Sequence, residues 1–237
     1  MIRSGLRLIL IALLSAYCAS LIILCTPFDR EKKYFRRFSR LHARGTLALA
    51  GLRLTVEGAE KLDPDQSYVY VANHASLFDI PVVLAGIPDD VRIIYKKELH
   101  YVPIFGWGLK LGGAFIAINR KSGTEARRSL DAAIEKIGQG ASVLLFAEGT
   151  RSVDGMLQPF KRGPFNLALR AGVPVVPVTI NGTHQIMQKG TFRLRPGPIS
   201  IVIGTPIAAD GDAGRESEMI LRTRVREAIE QTYRNPS

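Results

Sequence analysis

Hydrophobic residues fall into three kinds of pattern along this chain, and each predicts a different element. The first is continuous. Residues 8–25 are apolar or small throughout, broken only by Ser15, Tyr17 and Ser20. A run of that length approaches what a helix needs to cross hydrocarbon. It is long for the apolar part of a signal peptide, no small-x-small site closes it, and Tyr17 before Cys18 spoils a lipoprotein cleavage site. It reads as a retained membrane segment. The second pattern is helical. In residues 32–50, at about 100° per residue, Lys33, Arg36, Arg37, Arg40 and Arg44 share one sector, with Tyr34, Phe35, Phe38, Leu41 and Leu49 opposite. Such a basic amphipathic helix suits a membrane interface, and that is the expectation; the other reading is a helix packed on the domain with its basic face in solvent. Residues 124–137 set Leu130, Ile134 and Ile137 on one side, with Gly138 and Gly140 after the end, and residues 214–233 form a closing amphipathic helix.

The third pattern is short and β-branched. Residues 52–56, 68–72, 91–95, 114–118, 142–146, 173–180 and 199–203 read as strands, several of them continuous as in strands buried on both faces. Pro174 and Pro177 make 173–180 an exception, predicted as an edge or irregular strand that walls a site. Strands interleaved with helical patterns, without repeat or linker, predict a single α/β domain. The expected organisation is a membrane segment plus basic amphipathic interfacial helix over residues 1–50, then a domain with a mostly buried central sheet flanked by helices over 51–237.

Charge narrows the partners. A formal charge of +11 on 237 residues implies an anionic one: nucleic acid, anionic lipid or an acidic protein. No zinc spacing, aromatic RNA-binding run or helix-turn-helix signature supports nucleic acid, and an anionic membrane surface fits the flanks of the apolar run. Arg3 and Arg7 precede that run, and Arg30, Lys32, Lys33, Arg36, Arg37 and Arg40 follow it. The excess of positive charge places the domain on the cytoplasmic side of a cytoplasmic (inner) membrane. Both cysteines, Cys18 and Cys25, lie in the apolar run, where they cannot staple the domain; this points to a reducing compartment. His42, His74, His100 and His184 are scattered without ligand spacing, so no metal is expected.

The candidate chemistry centres on Asn73-His74-Ala75-Ser76-Leu77-Phe78-Asp79. A strand pattern feeds into it and a helical one, Ile80-Pro81-Val82, leaves it. His74 therefore sits at a strand exit, where α/β proteins place their chemistry. On one helix, His74 and Asp79 would lie roughly 140° apart; across a strand–turn–helix corner they can meet. A carboxylate on one imidazole nitrogen fixes the tautomer and leaves the other nitrogen as a base. Equally, Asp79 before Ile80-Pro81 reads as a helix N-cap, and Ser76-x-x-Asp79 as a loose capping box. A second cluster, Phe146-Ala147-Glu148-Gly149-Thr150-Arg151-Ser152, leaves another strand end with an acid, a permissive glycine, a hydroxyl and an arginine. That set suits phosphate binding, or alternatively a turn with a surface Arg–Glu pair. Phe160-Lys161-Arg162-Gly163 follows it, and Asn119-Arg120 ends the strand after Gly112-Gly113.

Together these residues resemble the glycerolipid acyltransferases, and within them the 1-acylglycerol-3-phosphate acyltransferases. The family's N-H-x-S-x-x-D is matched by Asn73, His74, Ser76 and Asp79. Its F-P-E-G-T-R-S is matched by Phe146 and Glu148 to Ser152, with Ala147 where proline is usual. F-K-x-G fits Phe160, Lys161 and Gly163, and V-P-x-V-P-V fits residues 173–178, including Pro177. Lys96-Lys97-Glu98-Leu99 is similar to a lysine-containing family segment. The glycine-to-Asp-Arg motif departs: Asn119 precedes Arg120, and Gly113 lies one residue too far upstream. The likeness covers residues 52–205.

The resemblance implies transfer of a fatty acyl group from acyl-CoA or acyl-carrier protein to the sn-2 hydroxyl of 1-acylglycerol 3-phosphate. The product would be phosphatidic acid for phospholipid synthesis. The thioester would be a co-substrate, with no cofactor. His74 would be the general base and Asp79 its orienting carboxylate. Arg151, Arg120 and one of Lys96 or Lys97 would hold the lysophospholipid phosphate, in a loop completed by Gly149 and Thr150. Glu148 would orient an arginine or contact glycerol. Asn73, Ser76, Ser152, Lys161, Gly163 and Pro177 would support the motifs. Two other readings stay open: acylation of another lysolipid, such as a lyso-ornithine lipid or lysophosphatidylglycerol, and a non-catalytic lipid- or carrier-binding membrane protein. A lipid hydrolase lacks its G-x-S-x-G elbow here.

Overall fold

The computed structural model describes residues 2–119 and 123–235. Seven strands form one sheet: β1 (Arg53–Glu57), β2 (Val69–Ala72), β3 (Val91–Lys96), β4 (Ile116–Ile118), β5 (Ser142–Phe146), β6 (Val175–Asn181) and β7 (Pro198–Ile203). Their order is β1-β7-β6-β2-β5-β3-β4, and every neighbouring pair is parallel except β6–β7. All seven fall on segments that the β-branched pattern predicted.

The two faces of β2 explain why its pattern is continuous rather than alternating. Tyr70 and Ala72 join a core with Val82 and Val83 of α3 (Asp79–Gly86) and with Leu47 of α2 (Lys33–Ala50). Val69 and Val71 join a second core on the opposite face. It includes Ala133 of α5 (Gly123–Gly138), Phe165 of α6 (Gly163–Ala171) and Val225 of α8 (Arg215–Thr232). Both faces are covered, so both sets of side chains must be apolar.

Strand β6 corrects the expectation set by its prolines. It lies inside the sheet between β7 and β2, and all seven of its residues are buried. Pro174 precedes the strand. Pro177 falls in the gap between the antiparallel ladder that begins at Val178↔Ile203 and the separate Val175↔Ile207 bridge. There the Pro177 carbonyl accepts from Gly204 N–H at 2.8 Å, and no N–H is asked of the proline.

The N-terminal helices are part of this packing. α1 (Ile2–Cys25) lies against α2 and against α4 (Phe105–Gly112). Glycines permit the approach: a Cβ at Gly45 would come within 2.6 Å of Leu14, and one at Gly108 of α4 within 3.0 Å of Ala19. On α2, Phe35, Ala43, Leu47 and Ala50 are buried, and Leu47 and Ala50 share the core of Tyr70. Part of the apolar face of α2 is thus packed against the domain. Tyr34 and Leu41, expected on that face, are exposed. Its basic side points outward, with Arg36 paired to Asp90 at 3.0 Å and Arg40 bonded to the carbonyls of Pro88 and Asp89. Residue 50 marks a change of pattern, not a break in packing. α1 keeps an outer face of exposed Leu6, Ile9, Leu13, Tyr17 and Leu24.

Candidate active site

The ends of β6, β2 and β5 lie side by side, with Ala72 opposite both Val178 and Phe146. Asn73 carries the register one step further. Its Oδ1 accepts from Ile180 N–H at 2.7 Å and its Nδ2 donates to Ile180 C=O at 2.9 Å, so the carboxamide replaces a rung of the ladder. The chain then turns off the sheet.

Asp79, fully buried, is the first residue of α3. Its Oδ2 accepts from His74 Nδ1 at 2.7 Å, from Ala75 N–H at 2.7 Å and from Ser76 N–H at 2.8 Å. One oxygen therefore orients the imidazole and ties the turn before the helix; it is not the N-cap the sequence offered as the alternative, since Phe78 holds that position and no side chain caps the first turn. The capping box is half formed. Asp79 reaches back to Ser76 N–H, but the Ser76 hydroxyl donates to Met187 C=O at 2.8 Å and accepts from Phe78 N–H at 3.4 Å. A carboxylate can only accept, so Nδ1 carries the proton and Nε2 is left as the basic nitrogen. The His74 ring stacks on Phe146, with centroids 3.9 Å apart and planes 16° apart.

The loop after β5 closes on His74 from both sides. His74 N–H donates to Glu148 Oε1 at 2.9 Å, and His74 C=O accepts from Ser152 N–H at 2.8 Å. Glu148 is buried, and Gln158 N–H reaches its Oε2 at 3.4 Å. Burial pushes this carboxyl up to about 7 against those two bonds, and the nearby Asp79 charge pushes the same way. No ion pair to an arginine engages Glu148 among the described residues. It holds the backbone of the base instead of orienting a guanidinium. Gly149 has φ +74, a left-handed turn in which a Cβ would be strained, and its N–H closes on Phe146 C=O at 3.1 Å. Ser152 Oγ donates to Asp154 at 2.8 Å, which makes it a structural hydroxyl.

Cations surround this corner. Arg151 is half-buried, and its guanidinium has no hydrogen-bond or ion-pair partner among the described residues. Lys161 is exposed; its N–H donates to Ala147 C=O at 2.7 Å and keeps the approach to α6, which Gly163 opens, against the β5 exit. Lys97 is paired with Glu125 at 3.5 Å, whereas Lys96, at the end of β3, is the one of the two left without an ion-pair partner among the described residues. Arg120 lies outside the described residues.

Sequence reasoning missed Lys189. Its Nζ donates to Arg151 C=O at 3.0 Å and, more weakly, to Thr150 Oγ1 at 3.4 Å. It follows α7 (Thr183–Ile186), a one-turn helix that no periodicity announces. It missed the cavity too. Between α1, α2, α3 and α4 lies a cavity of about 80 Å³ lined by Cys18, Ile22, Phe35, Leu84 and Phe115 among others. A more open groove shares Ser15, His42, Ile80 and Phe105 with it and reaches Leu77, Phe78 and Met187 beside the turn that carries His74. The polar group inside, His42, bonds Ser15 Oγ at 2.8 Å, and burial pushes its pKa down, favouring the neutral ring.

Known proteins resemble this chain in sequence and fold. The sequence profile of the acyltransferase family matches residues 53–181, from the start of β1 to the end of β6. A chloroplast 1-acyl-sn-glycerol-3-phosphate acyltransferase of Brassica napus is 35% identical over 182 residues, 76% of this chain and 52% of its own length. The protein of that name from Pseudomonas aeruginosa is 37% identical over 171 residues, 72% of this chain and 65% of its own. The chain thus spans from about half to just under two thirds of these curated relatives. The crystal structure of a 1-acyl-sn-glycerophosphate acyltransferase from Thermotoga maritima superposes with a TM-score of 0.77 at 30% identity, covering 96% of this chain and 95% of that one. With a profile match over more than half its length and a fold shared nearly end to end, the chain belongs to the acyltransferase family.

Proposed function

We propose that this protein acylates the sn-2 hydroxyl of 1-acylglycerol 3-phosphate from an acyl thioester, giving phosphatidic acid. The observation that carries the reading is the His74–Asp79 pair, 2.7 Å apart, bonded through Ser152 N–H to the loop of Arg151, whose guanidinium has no partner among the described residues. An alcohol is a poor nucleophile at neutral pH and needs a base. His74 Nε2 takes the hydroxyl proton as the oxygen attacks the thioester carbonyl. Asp79 stabilises the imidazolium that forms. Collapse of the tetrahedral intermediate breaks the C–S bond, and His74 returns its proton to the leaving thiolate. No acyl-enzyme is needed: the Ser76 hydroxyl is committed to Met187 C=O, and both cysteines lie on α1. Arg151, Arg120 and Lys96 bind the phosphate, and the apolar groove takes an acyl chain. Acyl-CoA and acyl-carrier protein both fit as donors, each being anionic.

We place the enzyme on the cytoplasmic face of a membrane through the exposed apolar side of α1. Its other side packs on α2 and α4, and the basic side of α2 faces the headgroups.

The test is turnover by the purified chain on a panel of lysophosphatidate, lysophosphatidylglycerol and lyso-ornithine lipid, each with both donors. Lysophosphatidate is expected to be preferred. Preference for another acceptor would move the protein within the family, and binding without turnover on any of them would make it a lipid-binding protein.

A further inference from the structure

The loop after α7 carries a cation that this mechanism leaves unused. Lys189 is half-buried and tied to two neutral acceptors, Arg151 C=O and Thr150 Oγ1. It is not part of any ion pair among the described residues. Its loop is fixed to the catalytic turn two residues earlier, where Met187 C=O accepts the Ser76 hydroxyl. Two further bonds hold the loop's shape: Thr191 N–H to Gln188 C=O at 3.2 Å, and Arg195 N–H to Ile186 C=O at 2.9 Å. Lys189 is therefore strung between the turn that holds the base and the loop that holds Arg151.

An ammonium has three N–H donors. Two are used here on uncharged oxygens, so one donor and the whole positive charge remain. Arg151, also without a partner among the described residues, belongs to the loop that Lys189 grips. Two cations without an anionic partner, on loops joined by that bond, favour an anion between them. The topology adds a direction. The β3 end brings Lys96 to the site from the β5 side of β2, while Lys189 arrives from the β6 side.

We propose that Lys189 is a phosphate-binding residue of the acyl-transfer site, acting together with Arg151. The inference rests on the reading of the site given above. Its ligand is a phosphate ester carried by a reactant: the phosphate of the lysolipid acceptor, or one of those on the pantetheine arm of the donor.

The test uses the full chain in detergent micelles. kcat/KM is measured for the wild type, Lys189→Gln and Lys189→Arg on lysophosphatidate and on phosphate-free 1-acylglycerol. Each acceptor is paired with acyl-CoA and with an acyl N-acetylcysteamine thioester, which has no phosphate. Lys189→Gln is expected to lose roughly ten- to a hundredfold on lysophosphatidate, mainly through KM, with little change on 1-acylglycerol and most of the loss recovered by Lys189→Arg. A loss that follows acyl-CoA and vanishes with the phosphate-free thioester supports the site with the donor as the source. Equal loss in all four pairings, or none, overturns the proposal and leaves Lys189 as a staple on the Arg151 carbonyl.

A second measurement needs neither a variant nor turnover. Acetic anhydride labelling of Lys189 in the wild type is followed by peptide mass spectrometry. Glycerol 3-phosphate or coenzyme A should protect Lys189 where glycerol does not; protection by neither overturns the proposal. Protection in a protein that fails to acylate lysophosphatidate would sink the acceptor reading and leave the phosphate site standing.

Discussion

The two loops that meet at the ends of the central strands β2 and β5 are built in opposite ways. In the turn from Asn73 to Asp79 most polar groups are bonded to the protein, the buried Asp79 Oδ1 being an exception. Asn73 is clamped to Ile180, Ser76 to Met187, and His74 through its N–H, its C=O and its Nδ1. In the loop from Glu148 to Arg151 the bonding fades along the chain, from a buried carboxyl to a guanidinium with no partner among the described residues. The difference fits the two tasks proposed for them. A general base works in one tautomer and one position, so the fold must fix it before substrate arrives. A phosphate-binding cation must keep its donors free, because the ligand is to be their partner.

The sharpest break of that contrast is at the base itself. His74→Ala should lower turnover by ~10²–10⁴-fold and leave the melting temperature nearly unchanged, since the ring sits on Phe146 at the end of β5 and the anchoring bonds run through its backbone. Near-normal turnover would remove His74 from the chemistry. Asp79→Asn should strike twice. The tautomer is no longer fixed, so turnover falls steeply, and three N–H groups lose a charged acceptor, so thermal stability falls as well. Normal specific activity in the folded fraction would leave Asp79 with the bonds that shape the turn alone.

On the loop side the loss should depend on the substrate. Arg151→Lys keeps the charge but not the planar fork that grips phosphate bidentately. A lost hydrogen bond to a charged group costs about 1.5–3 kcal/mol, or roughly ten- to a hundredfold in apparent affinity. That loss should appear in kcat/KM on lysophosphatidate and be nearly absent on 1-acylglycerol. Equal ratios on both acceptors would assign Arg151 to the fold or to the donor.

The same contrast governs what could be read from the chain. The strands were legible because burial on both faces imposes an unbroken apolar run, and His74 with Asp79 because a strand exit and a helix start frame them. β6 was misplaced because proline's lost donor is local, whereas the gap that makes it harmless is supplied by Gly204 and Ile207 from elsewhere in the chain. The basic periodicity of α2 was plain, but periodicity cannot say which apolar positions meet protein; Leu47 and Ala50 enter the core while Tyr34 and Leu41 stay exposed. Glu148 was expected to orient an arginine or contact glycerol, from the company it keeps in sequence; its bond to the His74 backbone, which joins the exits of the neighbouring strands β5 and β2, had no local signal. Lys189 had no local signal at all, because its position depends on a one-turn helix and a loop closure.

Glu148 tests the boundary between the two kinds of loop, and its effect should be the smallest. Glutamine keeps an oxygen for the His74 N–H but cannot ionise, so Glu148→Gln should leave turnover within a few-fold of wild type. A large, acceptor-dependent loss would return Glu148 to the substrate. The folded-state pKa of Glu148 is raised from 4.5 to about 7, so the native state binds this proton more tightly than the unfolded chain does. The resulting contribution is complete below the ordinary glutamate range and is lost as pH rises from about 4.5 towards 7. Glu148→Gln removes that titration. Its melting temperature relative to wild type should therefore rise between pH 5 and pH 8, about either side of the shifted pKa. Every other titrating group is common to both proteins and cancels in the difference. A difference that stays flat across this range would mean that Glu148 is already ionised in the folded state at pH 5, and that its bond to His74 is a charge-assisted one.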